Sequence, residues 1–159
     1  MDALGREAEA EGRIYFTGGV TAVLLGWRRS TIDIDIKIVP DHDSVTRALP
    51  HLKESLHLNV ELAAPDQFIP PLPGWQDRSR FIERYGQVSY FHYDFYAQAL
   101  AKMERGHAQD REDVRQMISR GLVDRAKALE LLAAIEPDLH RYPAVDPRSF
   151  RAAVERALS

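Results

Sequence analysis

Apolar and polar positions alternate most strictly in TIDIDIKIV (31–39), where Ile32, Ile34 and Ile36 share one face and Asp33 and Asp35 the other. A period of two with β-branched residues predicts a strand, stopped by Pro40. RIYFT (13–17) predicts a shorter strand ending at Gly18-Gly19, and VTAVLLGW (20–27) a helix starting at those glycines, against the propensities of Gly26 and its β-branched residues. HLNVEL (57–62) predicts another short strand, and RFIERYGQVSYFHYD (80–94) two strands joined at Tyr85-Gly86. Residues 2–11 have helical composition, and 43–56 predict a helix interrupted at Pro50. The proline-rich stretch 63–80 predicts an ordered loop anchored by Phe68, Ile69 and Trp75.

After Asp94 the period lengthens. FYAQALAKMERGH and REDVRQMISRGL read as amphipathic helices separated at Gly106, with Gly121 closing the second. Residues 124–135 predict a further helix, and a last one starts with Asp146 as N-cap and Pro147 in its first turn. Strands precede helices, which predicts an α+β fold: a small mixed β-sheet core over 1–94 and a helical part over 95–159, packed on it as one unit. No repeat of 20–50 residues is present.

Composition narrows the chemistry. A chain of 159 residues that is 45% apolar and 28% charged can bury one core, which describes an ordinary soluble domain. With no cysteine, disulfides and thiolate metal sites are excluded. The polar start and short apolar runs predict a cytoplasmic protein without a membrane span. Its six histidines show no zinc spacing, and His92 alternates with tyrosines as a packing residue would.

Side chains at i and i+2 of a strand project together, so Asp33 and Asp35 point the same way. Taken alone, that describes a half-exposed strand. Two like charges so close are better tolerated with a cation between them, and Mg²⁺ prefers oxygen ligands shared with substrate phosphates. Gly18-Gly19 then gains a role, because glycine leaves backbone room for a ligand and a helix start presents free N–H groups to phosphate. Thr17 could add a hydroxyl there, although the pair could equally be a tight turn. A two-metal site needs another carboxylate, and Glu61 in LNVEL is the leading candidate.

A Gly-Gly, thirteen residues, then DID, followed by an isolated Glu between apolar residues, resembles the nucleotidyltransferase superfamily that includes DNA polymerase β. YAQALAKMERGHAQDREDV resembles the Lys-then-Asp-x-x-Asp segment of the small bacterial AbiEii-type and MenT-like toxin nucleotidyltransferases. The resemblance implies that Gly18 and Gly19 contact the triphosphate of an NTP. Asp33 and Asp35 would bind two Mg²⁺ ions (Mn²⁺ being the substitute), and Glu61 would bind the catalytic one. Family sites often have Asp where Glu61 stands. The resemblance makes Lys102 a clamp on the β- and γ-phosphates and Asp113 the residue completing the site. Local readings stand beside these: Lys102 as a helix-surface lysine, and Asp110 as an N-cap with Asp113 in an acidic capping box. One unbroken helix would separate Lys102 from Asp113 by about 16 Å, so their pairing requires a break at Gly106.

Arg28 and Arg29 could stabilise the transferring phosphate or form surface ion pairs. Arg78, Arg80 and Arg84 offer either an RNA-contacting surface or a solvated strand edge. Net charge is −3, which two bound Mg²⁺ ions would bring to +1, so a polyanionic substrate is not excluded. The expected activity is metal-dependent transfer of NMP from NTP to an acceptor hydroxyl. A tRNA 3′ end is favoured over a protein or small molecule, and the resemblance implies a toxin with an antitoxin partner. Two rival readings are a non-catalytic binding module or antitoxin of the same fold, and an unrelated α+β domain.

Overall fold

The computed structural model describes residues 1–8, 10–41 and 43–159. Its fold is α+β, with a five-stranded mixed sheet and eight α-helices among the described residues. The chain divides into two compact units: Met1–Ala64 with Ser79–Tyr93, and Pro65–Arg78 with Asp94–Ser159. No helix among the described residues is long and apolar enough to cross a membrane.

The first unit holds the sheet. Its strands are β1 (Gly12–Thr17), β2 (Asp33–Val39), β3 (Asn59–Leu62), β4 (Arg80–Tyr85) and β5 (Val88–His92), in the order β3-β2-β1-β5-β4. β1 runs antiparallel to β2 and parallel to β5; β2 and β3 are parallel, and β4-β5 is an antiparallel hairpin. Helices α1 (Asp2–Glu7), α2 (Gly18–Leu24) and α3 (Asp43–Leu56) complete the unit. The helical stretch expected over 2–11 thus ends at Glu7, and Glu9 lies outside the described residues.

Ile14, Phe16, Ile36, Val60, Val88 and Tyr90 form one apolar face of the sheet, against which α3 lays Val45 and Leu49. Each such side chain contributes about 1.5–3 kcal/mol by leaving water. This burial corrects two expectations. Helix α3 runs unbroken through Pro50, because Val45, Leu49 and Leu52 hold one face on the core while Pro50 lies on the exposed side. There, water can satisfy the carbonyl that proline cannot serve. Ile32 does not join the apolar face and is 74% exposed: β2 starts at Asp33, and Ile32 only accepts the Asn59 N–H at the strand's end, 3.0 Å away.

The second unit contains α4 (Trp75–Arg78), α5 (Phe95–Arg105), α6 (Ala108–Ser119), α7 (Arg125–Ile135) and α8 (Pro147–Leu158), with 3₁₀ turns at Pro65–Gln67 and Glu136–Arg141. Ile69 and Leu72 are its buried loop anchors, whereas Phe68 is 51% exposed and Trp75 half-buried. The 3₁₀ turn directs Ile69 inward, which leaves the preceding aromatic in solvent. Asp94 caps α5 by accepting the Tyr96 N–H and binds Arg78 through Oδ2 at 2.7 Å, so Arg78 serves a partly buried ion pair. Asp124 and Asp146 cap α7 and α8. Gly106, at φ +71°, ends α5, and α6 starts directly after it with His107 as N-cap. Asp110 therefore stands in the first turn, accepting the His107 N–H at 3.2 Å, and is not the N-cap.

Candidate functional site

Strand register assembles the acidic residues of the first unit. Asp35 stands opposite Thr17 on β1 and opposite Glu61 on β3, while Asp33 stands opposite Asn59. Residues in register and two apart share a face, so Thr17, Asp33, Asp35, Asn59 and Glu61 all project from the side opposite Ile36 and Val60. Asp33 and Glu61 are exposed and Asp35 is half-buried. Asn59 ties the set together, its Nδ2 donating to Asp33 Oδ1 and to Glu61 Oε1, each at 3.0 Å.

The strand β1 delivers its chain directly into Gly18-Gly19, beside the same carboxylates. Gly18 has φ +62°, and a Cβ there would lie 2.8 Å from Asp35 Oδ2. A Cβ on Gly19 would lie 2.4 Å from Thr31 Oγ1 and 3.0 Å from Arg28 Nη1. Glycine is therefore favoured at 18 by a backbone angle that other residues resist, and at 19 by the close approach of Thr31 Oγ1 and Cβ. Helix α2 starts at Gly18 with buried Thr17 as N-cap, and at seven residues its own dipole is modest. It stops at Leu24, earlier than the pattern suggested, because Gly26 turns the chain at φ +86°. That turn brings half-buried Arg28 back over Gly19, while Arg29 is exposed.

Behind this loop, His92 Nδ1 lies 3.2 Å from Thr21 Oγ1, which donates to the Phe16 carbonyl at 3.3 Å. With the hydroxyl proton committed to Phe16, the imidazole donates through Nδ1 in its neutral form. Burial, aided by the Arg80 charge, pushes the His92 pKa down to about 4. His92 is thus the packed residue that its alternation suggested.

The donor set of Asp33, Asp35 and Glu61 is all carboxylate oxygen, which suits Mg²⁺ or Mn²⁺. The glycines keep the adjoining backbone bare. In these respects the residues fit a divalent-cation site. Among the described residues, however, no three acids or histidines are gathered closely enough to enclose an ion. Asn59 explains part of the spacing, since its amide occupies the position between Asp33 and Glu61. Asn59 is the residue that sequence reasoning missed. The signal was present in NVEL, where it precedes Glu61 by two and must share its face.

In the second unit, Lys102 and Asp113 pair directly: Nζ donates to Asp113 Oδ2 at 2.7 Å and reaches Asp110 Oδ1 at 3.4 Å. The break at Gly106 makes this pairing available to residues eleven apart. All three groups are buried, so Lys102 is no surface lysine. Arg105 adds two bonds to Asp110, at 2.8 and 2.6 Å. Burial alone would raise the Asp110 pKa, but the Arg105 and Lys102 charges and the His107 N–H outweigh it and hold it below the usual carboxylate range. Arg84 pairs with Glu11 at 3.0 Å, and Arg80 is exposed on β4.

No curated protein and no solved structure matches the chain. A family model does, over residues 6–154: that of a nucleotidyltransferase of unknown function (DUF6036). The match spans both units, and the chain belongs to this nucleotidyltransferase family.

Proposed function

We propose that the protein transfers an NMP unit from an NTP to an acceptor hydroxyl in a reaction dependent on Mg²⁺, with Mn²⁺ able to substitute. The observation that carries this reading is the register that sets Asp35 between Thr17, which leads into Gly18-Gly19, and Glu61. Three carboxylates and a bare backbone turn on one face of the sheet are what binding a metal-complexed triphosphate requires.

Bound divalent cations would stabilise charge on the attacking and leaving oxygens. The chain supplies the rest. Asp33, Asp35 and Glu61 hold the cations, and Gly18-Gly19 with Thr17 and Arg28 position the triphosphate, Arg29 lying at its rim. An acceptor oxygen bonds to the α-phosphorus, the bond from that phosphorus to the β-phosphate bridge oxygen breaks, and pyrophosphate leaves. The hydroxyl proton passes to a carboxylate, for which Glu61 is our choice. The resemblance gives Lys102 the role of offsetting phosphate charge, and Asp113 holds its ammonium. The favoured acceptor is a tRNA 3′ end and the favoured context a toxin with an antitoxin partner. Both rest on the resemblance of the Lys102–Asp113 segment to AbiEii-type and MenT-like toxins.

Incubation with labelled NTPs, Mg²⁺ and bulk RNA tests the proposal. Label should pass to an acceptor, and Asp33→Asn with Asp35→Asn should reduce transfer to background while leaving the circular dichroism spectrum unchanged. NTP binding with no transfer to RNA, protein or small-molecule acceptors would support a binding module instead.

A further inference from the structure

The second unit contains a cavity of about 600 Å³ whose arginine lining plays no part in the proposed transfer. Four arginines line it: Arg111 and Arg115 from α6, Arg125 from the first turn of α7, and Arg156 from α8. No Asp or Glu is among its lining residues. Lys102 also reaches it, with its charge already answered by Asp113. Its lining also includes an apolar floor of Met103, Val114, Ile118 and Ala153.

The spacing behind this arrangement is regular. Arg111 and Arg115 are four apart, with Ile118 three further on, so one face of α6 carries both charges and part of the floor. Ala153 and Arg156, three apart on α8, repeat the pattern opposite. The internal partners leave most of the positive charge standing. Arg111 donates to the Gly106 carbonyl at 2.6 Å, which does not neutralise a guanidinium, and Arg125 reaches a backbone oxygen of Ser159 at 3.4 Å. Arg115 has a side-chain carboxylate partner, Glu112.

Like charges around a concave wall, only partly answered by internal counter-charge, focus a positive potential and favour an anion. Guanidinium forks match phosphate oxygens, while apolar side chains suit an aromatic ring, and methionine adapts to ring faces. The volume lies in the range of small-ligand sites. We propose that this cavity binds a nucleotide unit, with its phosphate held by the arginines and its base lying on the Met103–Val114–Ile118–Ala153 floor. The site does not rest on the transfer reaction, and it can be tested with the carboxylates deprived of metal.

The test is equilibrium binding of the full chain in EDTA to two fluorescent probes, 5′-AMP and a short single-stranded RNA. Wild type should bind at least one. If both probes bind and AMP displaces the RNA, the ligand is a free nucleotide; RNA binding that AMP does not displace assigns a nucleotide within a strand. Arg115→Ala with Arg156→Ala, both at exposed positions, should weaken binding about tenfold or more, as loss of charge-assisted bonds to phosphate does. For RNA the change should also flatten the salt dependence. Ala153→Leu, which fills the floor and keeps every charge, should weaken binding too. Asp33→Asn with Asp35→Asn should leave it unchanged, which separates failure here from failure of the proposed transfer. Absence of binding to both probes, or equal binding by wild type and the arginine variant, would overturn the proposal.

Discussion

Gly18 is where backbone conformation and side-chain chemistry meet most closely. It carries φ +62°, and the space a Cβ would need is taken by Asp35 Oδ2 at 2.8 Å. Gly18→Ala should therefore destabilise the fold by about 1–2 kcal/mol through left-handed strain, lowering Tm by about 2–8 °C. It should also displace Asp35, so transfer activity should fall more than stability does. Calorimetry beside the transfer assay checks both. At this scale the sequence was most informative where a residue is chosen for backbone geometry or strand phase. Gly18, Gly19, Asp33, Asp35 and Glu61 could be read from local pattern, and register sets Asp35 beside Glu61. Asn59 was overlooked because a lone amide carries no charge signal, although its phase relative to Glu61 placed it.

Helices α5 and α6 show how one glycine determines a contact between elements. Gly106 reverses the chain, and residues that a continuous helix would hold about 16 Å apart meet as the Lys102–Asp113 pair at 2.7 Å. Lys102→Met would leave Asp113 charged, buried and short of its main donor, at a cost of about 3–5 kcal/mol. Lys102→Met with Asp113→Leu should recover much of that loss, because an apolar pair removes the stranded charge. Urea denaturation of the three proteins measures both effects, and equal stability of the single and double variants would contradict the account. Element types were legible from periodicity throughout, whereas boundaries moved where a tertiary partner prevailed. The core-facing residues of α3 carry it through Pro50, and α6 starts at the turn directly after Gly106. Phe68 lost its expected anchor role because sequence hydrophobicity does not say which of two adjacent residues a 3₁₀ turn directs inward.

Over the whole molecule, buried titratable groups tie stability to pH. His92 is neutral when folded, with its pKa near 4, and ordinary when unfolded, near 6.5. Between those values the unfolded chain takes a proton that the folded chain refuses. The His92 contribution is thus complete above about pH 6.5 and is lost towards pH 4, at up to roughly 1 kcal/mol per unit. Asp110, with its pKa lowered, adds stability above the usual carboxylate range that disappears as pH falls through it. Asp94 acts in the opposite sense, since burial raises its pKa despite Arg78, so its contribution wanes with rising pH. His92→Asn keeps a donor near the Nδ1 position and removes the titration. It should flatten the stability profile between pH 6.5 and 4.5, and a profile parallel to wild type would contradict the assignment.

The most direct test of the central claim is a crystal structure with Mn²⁺ and a non-hydrolysable NTP analogue, read by anomalous scattering. Manganese peaks are expected within about 2.0–2.3 Å of carboxylate oxygens of Asp33, Asp35 and Glu61, with the triphosphate against Gly18-Gly19. Manganese bound only elsewhere, with Asn59 still bridging Asp33 and Glu61 beside an empty turn, would contradict it.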